Sequence, residues 1–362
     1  MADAARVPID AQSVDAPLSR FAVFLVLGVG DSAAALGRVR DTITGIDDLV
    51  KTVGFRDLNG RLSCIVGVGS ALWDRLSPTA RPQELHPFPV VSGARHTAPT
   101  TPGDLLFHIR ADRQDLVFEF ERLLLDGLQG AAHVIDETPG FRYFDARDLL
   151  GFVDGTANPV GAELPESVLI GDEDPDFAGG SYVVVQKYLH DLGTWQRMTT
   201  EDQESVIGRT KIDNIELDDG PGPQFAHKSL TTIDDGRGGE LDILRDNMPF
   251  GRPGHGEFGT YFIGYSRRLW VIERMLERMF VGAPAGFHDR ILDVSTAITG
   301  TTFFAPSRTT LLSLAAGGQN DEQAPAAPAA PTPVAPVAVA GSLGIGSLRG
   351  TPPETPSEGR TP

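Results

Sequence analysis

Apolar positions along this chain come in two alternating forms, short unbroken runs and stripes at helical spacing. Residues 21–27, Phe-Ala-Val-Phe-Leu-Val-Leu, are apolar throughout, which predicts a strand covered on both faces. Asp31 can cap a following helix whose apolar positions are Ala35, Leu36, Val39, Ile43 and Ile46. Residues 62–68 predict a second strand, ended by Gly69, and a short helix carries Trp73. Residues 76–102, rich in Pro, Ser and Thr, predict a long loop. A strand is expected over 104–110, then a helix with Leu116, Phe120, Leu123 and Leu124 on its buried side. A strand over 132–135 and the segment 141–144 complete this stretch.

The order strand, helix, strand, strand, helix, strand is the βαββαβ arrangement of ferredoxin-like folds. It recurs further on. A strand over 181–188 precedes helices over 192–197 and 201–207, and a strand over 260–265 runs into a helix with Ile272, Met275, Leu276 and Met279 on one face. The expected fold is α+β, two ferredoxin-like halves with antiparallel sheets, residues 20–150 and 151–315, after an N-terminal arm of residues 1–19. Two such halves facing each other would leave a cleft suited to a cofactor. Past residue 315 the periodicity stops. Residues 316–340 are Ala/Pro-rich and predict an extended linker, and residues 341–362 form a tail with an apolar island, Leu343, Ile345 and Leu348 among glycines.

Composition narrows the function classes. The 41% hydrophobic content supports real cores, and the net charge of -18 argues against nucleic acid and anionic membrane surfaces as partners, since both reward basic patches. Cys64, the sole cysteine, makes no intrachain disulfide and reads as a small buried hydrophobe. No apolar stretch approaches the ~18 residues of a membrane span. The first apolar run follows Asp3, Asp10 and Asp15 rather than a basic leader, so a cytoplasmic protein is expected.

The chemistry centres on residues 151–159, Gly-Phe-Val-Asp-Gly-Thr-Ala-Asn-Pro. On composition alone this is a tight turn with a solvated Asp154. An acid between glycines can also sit where backbone comes close to a bulky ligand, because glycine has no Cβ to clash. Among eight histidines, His227 is followed downstream by Leu-Arg-Asp-Asn-Met-Pro-Phe, residues 244–250. Read alone, Arg245 is an ion-pair partner for Asp242 or Asp246.

In combination and in order, these three segments resemble the dye-decolorizing peroxidases, a resemblance that covers most of residues 20–315 and points to the B type. It implies haem b bound between sheet and helices, with His227 as the proximal iron ligand and Asp289 accepting from its other ring nitrogen. His288 is the rival ligand. Asp154 would relay a proton between the two oxygens of hydrogen peroxide, Arg245 would stabilise the negative charge that develops, and Asn247 would orient Asp154 or hold a water. Arg209 is the candidate partner of a haem propionate. The activity implied is peroxide reduction coupled to oxidation of dyes, phenols or other one-electron donors. A haem carrier or storage protein, and an enzyme that removes iron from haem, remain alternatives. Many relatives have an acid where this chain has Ala157, which puts manganese oxidation in doubt, although Glu216 and Glu240 lie nearby in sequence. Tyr182, Tyr188, Tyr261, Tyr265, Trp195 and Trp270 could carry oxidising equivalents outward, with core packing as the default reading. Residues 342–349, Ser-Leu-Gly-Ile-Gly-Ser-Leu-Arg, resemble the cargo-loading peptide of proteins packaged in encapsulin shells. That implies an encapsulin shell as partner through Leu343, Ile345 and Leu348, residence inside that nanocompartment, and a homo-oligomeric enzyme.

Overall fold

The first apolar run becomes strand β1 (Phe21–Val29), and its two faces serve different cores. Val23, Leu25, Leu27 and Val29 pack with helix residues Val39, Ile43, Phe120 and Leu124, whereas Ala22, Phe24 and Val26 join a second core with Ile65, Leu106 and Tyr261. A strand with apolar cover on both sides needs no polar alternation, which is why the run is unbroken. Helix α1 (Ala33–Gly54) follows, then β2 (Ser63–Val68) and α2 (Ser70–Leu76). The cap of α1 is Ser32, whose Oγ accepts from Ala35 N at 3.1 Å, and not Asp31, which is exposed and pairs with Arg75. The Pro-rich stretch holds a small hairpin, β3 (Val91–Ser92) and β4 (Thr97–Ala98). Strand β5 (Leu105–Ala111), helix α3 (Gln114–Gly127) and β6 (Ala132–Phe141) close the first half.

The second half contains α4 (Glu163–Val168), β7 (Ser181–His190), α5 (Leu192–Arg197), α6 (Thr200–Ile207) and α7 (His227–Thr231). Strands β8 (Leu244–Arg245), β9 (Met248–Arg252) and β10 (Glu257–Ser266) lead into α8 (Leu269–Phe280). Strands β11 (Ser295–Ala297) and β12 (Thr301–Ala305) precede α9 (Arg308–Ala316). This computed structural model describes residues 10–77 and 80–317; Leu343, Ile345, Leu348 and almost all of the Ala/Pro linker lie outside the described residues.

All strand pairs of the main sheet are antiparallel, in the order β6-β1-β5-β2-β12-β7-β10-β8, with β9 and β11 attached to β10 and β7. Within each half the first and third strands are central, as the βαββαβ pattern requires. The halves do not face each other across a cleft. They share one sheet, joined edge to edge where Phe304 of β12 lies opposite Val68 of β2. Trp73, 1% exposed, supports the seam by meeting Phe304 and Phe177 edge-on at 5.7 Å each. Burying a side chain of that size contributes about 2–3 kcal/mol.

A buried ion pair also spans the halves. Arg110 of β5 donates to Asp246 Oδ2 at 3.0 Å, with the two side chains 1% and 0% exposed. Cys64 is half-buried against the helix-side core. Of the six aromatics considered as electron relays, Tyr182, Tyr188, Tyr261, Tyr265 and Trp195 are buried, and Trp270 is exposed. Among the described residues no helix is long and apolar enough to cross a membrane.

Candidate active site

Along residues 244–248 the chain is extended, so successive side chains point to opposite faces of the sheet. Leu244 and Asp246 go to one face, where Asp246 is held by Arg110, while Arg245 and Asn247 go to the other. On that helix-covered face lies a cavity of about 330 Å³, lined mostly by the second half. Its sheet wall is Gln186, Tyr188 and His190 of β7 with Thr260 and Phe262 of β10, and its helix wall is Ile272, Met275, Leu276 and Met279 of α8. The helical stripe legible in the sequence is therefore partly a cavity wall.

The turn of residues 151–159 borders the same cavity. Gly155 has φ 76° and Gly151 φ 94°, left-handed values that glycine adopts without strain. Asp145 and Ala146, just upstream, are also left-handed, at φ 50° and 58°, and Ala146 O accepts from Asp154 N at 2.9 Å. Asp154 Oδ1 accepts from Gly155 N at 2.7 Å and from Asn247 Nδ2 at 3.4 Å, leaving Oδ2 for other work. Asn247 Oδ1 in turn accepts from Ile263 N at 3.2 Å, which sets the amide's orientation. Asn158 reaches across to the arginine's backbone twice: its Oδ1 accepts from Arg245 N at 3.0 Å and its Nδ2 donates to Arg245 O at 2.7 Å. From the sequence Asn158 reads only as part of a turn, because a clamp between residues 87 apart has no local signal. Neither Asp242 nor Asp246 pairs with Arg245 within 4 Å; Asp246 is committed to Arg110.

His227 is the first residue of α7 and also lines the cavity. Its Nδ1 donates to Asp289 Oδ2 at 2.7 Å. Asp289 is fully buried, and its Oδ1 accepts from Ile291 N at 3.0 Å, so it caps a short turn and fixes the imidazole together. It is not a surface partner of Arg290. Nε2 of His227 accepts no hydrogen bond among the described residues and is the nitrogen left for a ligand. His288 lies elsewhere, 3.0 Å from Asp293.

Arg209 borders the cavity but is already engaged, donating to Asn214 Oδ1 at 2.9 Å, Glu216 Oε2 at 3.0 Å and Asn214 O at 3.0 Å. Two of its five N–H groups remain for a propionate. Glu216 is also bound to Lys228 Nζ at 2.8 Å, which with Arg209 holds its carboxyl below the usual range. One acid went unnoticed in the sequence: half-buried Asp148 lines the cavity, and loss of hydration, with a smaller contribution from Asp154, pushes its carboxyl up to about 7.

These residues fit haem. An apolar slot lies between sheet and helices, an imidazole there has one nitrogen tied and one free, and cationic Arg245 borders the same space without a carboxylate partner within 4 Å among the described residues. Comparisons with known proteins agree. Residues 12–142 match the family Dyp-type peroxidase, N-terminal, and residues 145–310 match Dyp-type peroxidase, C-terminal. A dye-decolorizing peroxidase of Mycolicibacterium paratuberculosis is 54% identical over 95% of this chain and 94% of its own length. DyPB from Rhodococcus jostii RHA1 superposes with a TM-score of 0.82 at 58% identity, over 85% of this chain and 99% of that one. Variants of that protein are known in complex with heme and, in one case, with manganese. The encapsulated DyP-type peroxidase from Mycobacterium smegmatis superposes with a TM-score of 0.81 at 55% identity, over 83% of this chain and 97% of that one. The chain belongs to the dye-decolorizing peroxidase family and is a haem peroxidase.

Proposed function

We propose that His227 and Asp289 hold the haem of this peroxidase, while Asp154, Arg245 and Asn247 handle the peroxide. The observation that carries this reading is that a carboxylate-tied histidine and an acid–arginine–amide set border one cavity. When bound, haem b supplies the iron that accepts electrons from a donor and passes them to peroxide. His227 binds through Nε2, and the Asp289 carboxylate makes its ring more electron-donating. Asp154 takes a proton from one peroxide oxygen and returns it to the other, directly or through a water, using the oxygen that Gly155 and Asn247 leave free. Arg245 stabilises the negative charge on the departing oxygen. The Asn158 clamp holds the arginine's backbone so that its side chain is aimed before substrate arrives. The remaining N–H groups of Arg209 take a propionate.

Small phenols and dyes are the proposed electron donors. Manganese is a poor one, since Ala157 offers no oxygen and Glu216 is already bound by Arg209 and Lys228. The tail carrying Leu343, Ile345 and Leu348 loads the enzyme, as a homo-oligomer, into an encapsulin shell in the cytoplasm; the encapsulated relative from Mycobacterium smegmatis supports this. Stopped-flow mixing of the haem-loaded chain with peroxide and a phenol tests the assignment. Rapid change of the Soret band with turnover of the phenol is expected. A Soret band that peroxide leaves unmoved marks a carrier, and iron-free porphyrin in the product marks an iron-removing enzyme.

A further inference from the structure

The β3–β4 hairpin sits against the end of α8 with no room to spare. A Cβ on Gly93 would lie 1.7 Å from Phe280 O, so the two backbones are in direct contact. Gly93 N donates to His96 O at 2.9 Å, closing the turn that presents His96. On the other side, the loop after α8 folds back tightly, with Asp289 N bonded to Met279 O at 2.8 Å, and brings His288 to the same place. Asp293 follows on the short turn capped by Asp289.

These three side chains converge. His96 Nε2 is 3.1 Å and His288 Nε2 is 3.0 Å from the same oxygen, Asp293 Oδ1. The two rings are 4.8 Å apart between centroids, and one ligand atom from each residue lies within 4.8 Å of the others. In a tetrahedral site with bonds of about 2.0–2.1 Å, ligand atoms stand about 3.3 Å apart. Both nitrogen–oxygen separations are already close to that value, and closing the gap between the imidazoles takes shifts of about 1 Å. Asp293 keeps 42% of its side chain exposed, so water can complete the coordination.

We propose that His96, His288 and Asp293 bind a divalent ion of the zinc type, tying the β3–β4 hairpin of the first half to the second-half loop that carries Asp289. Two imidazoles and one carboxylate suit zinc rather than the hard cations, which take oxygen-only shells. The site is separate from the haem cavity, whose lining includes none of the three residues. His288 and Asp289 are adjacent, so the bound ion also stiffens the loop that orients His227.

The test is calorimetric titration of chelator-treated, haem-loaded enzyme with Zn²⁺ at about pH 7.5. One tight site is expected in the wild type, with a rise in melting temperature. His96→Gln and His288→Gln should each lose at least about 100-fold in affinity, the upper end of what even an outer partner costs, and the melting temperature should no longer respond. X-ray absorption at the zinc edge should show two imidazoles. His96→Gln lies in a partly exposed surface turn and carries the test alone if His288→Gln fails to fold. Equal zinc affinity in His96→Gln and wild type, or no zinc site in the wild type, overturns the proposal. Peroxide reactivity does not enter, so the outcome is independent of the haem-site assignment.

Discussion

Asp289 has no solvent access, and both of its oxygens are used, one by Ile291 N and one by His227 Nδ1. Replacing it by Asn keeps the shape and removes the charge. Asp289→Asn should bind haem about 10–100-fold more weakly and raise the iron's reduction potential, as haem-transfer rates and potentiometry would record. His227→Ala should lose haem outright; full occupancy with an unchanged Soret band would mean another residue is the ligand. Arg245→Leu should keep haem and react with peroxide about 10²–10³-fold more slowly in stopped flow, the usual cost of losing one donor to a developing oxyanion. Asp148 adds a pH dependence. Its folded carboxyl titrates near 7, above its unfolded value, so the native state holds a proton that the unfolded chain has released. Stability from this group is therefore present at low pH and is lost as pH rises from about 4 to about 7. Asp148→Asn retains an acceptor for Phe152 N and removes the loss. Its melting temperature should exceed wild type at pH 8 and converge with it near pH 4.

At the scale of elements, the decisive piece is the extended passage from β8 to β9. Strand alternation sends Arg245 and Asn247 to the cavity only if Asp246 stays on the opposite face, and Arg110 of β5 anchors it there. Truncating the arginine leaves the buried Asp246 carboxylate with only the more distant Arg142, 3.7 Å away, as a charge partner. Arg110→Met should cost about 3–5 kcal/mol in denaturant unfolding and lower peroxidase activity with it. The element pattern was legible because strands with two apolar faces and helices with one differ in period, as in β1 and α8. Boundaries were less legible. Ser32 rather than Asp31 caps α1 because the choice depends on which side chain reaches Ala35 N, a distance that no sequence pattern states.

For the whole molecule, one sheet through both halves places the cavity mostly in the second half and leaves the first to brace it, through the Val68–Phe304 seam and the Arg110–Asp246 pair. The segments that carry the proposed site residues end before the Ala/Pro linker of residues 316–340, whose 25 residues would span roughly 78 Å if fully extended at about 3.1 Å each. Deleting residues 341–362 should leave kcat/KM for a phenol unchanged and abolish co-purification with a co-expressed encapsulin shell. Changing Leu343, Ile345 and Leu348 to Ser should match the deletion, because apolar burial supplies most of the binding energy of so short a peptide. A truncated enzyme that still fills shells would make the tail an ordinary chain end.

The sequence by itself determined the period of the first half's long elements and of β7, β10 and α8 in the second, because apolar spacing is a local property of the chain, whereas β8, β9 and β12 carried no such signal. The segments around Asp154, His227 and Arg245 were legible only in combination and order, as a resemblance, since each alone reads as a turn, an ordinary histidine or an ion-pair arginine. Only the tertiary structure decided how the halves meet, because edge pairing between β2 and β12 joins residues more than 200 apart. It also decided which acid serves which base. Asp246 answers Arg110 and Asp289 answers His227, while Asn158 clamps Arg245 and His288 goes to Asp293. Each of these choices depends on distances of about 3 Å between groups far apart in sequence, which only the folded chain sets.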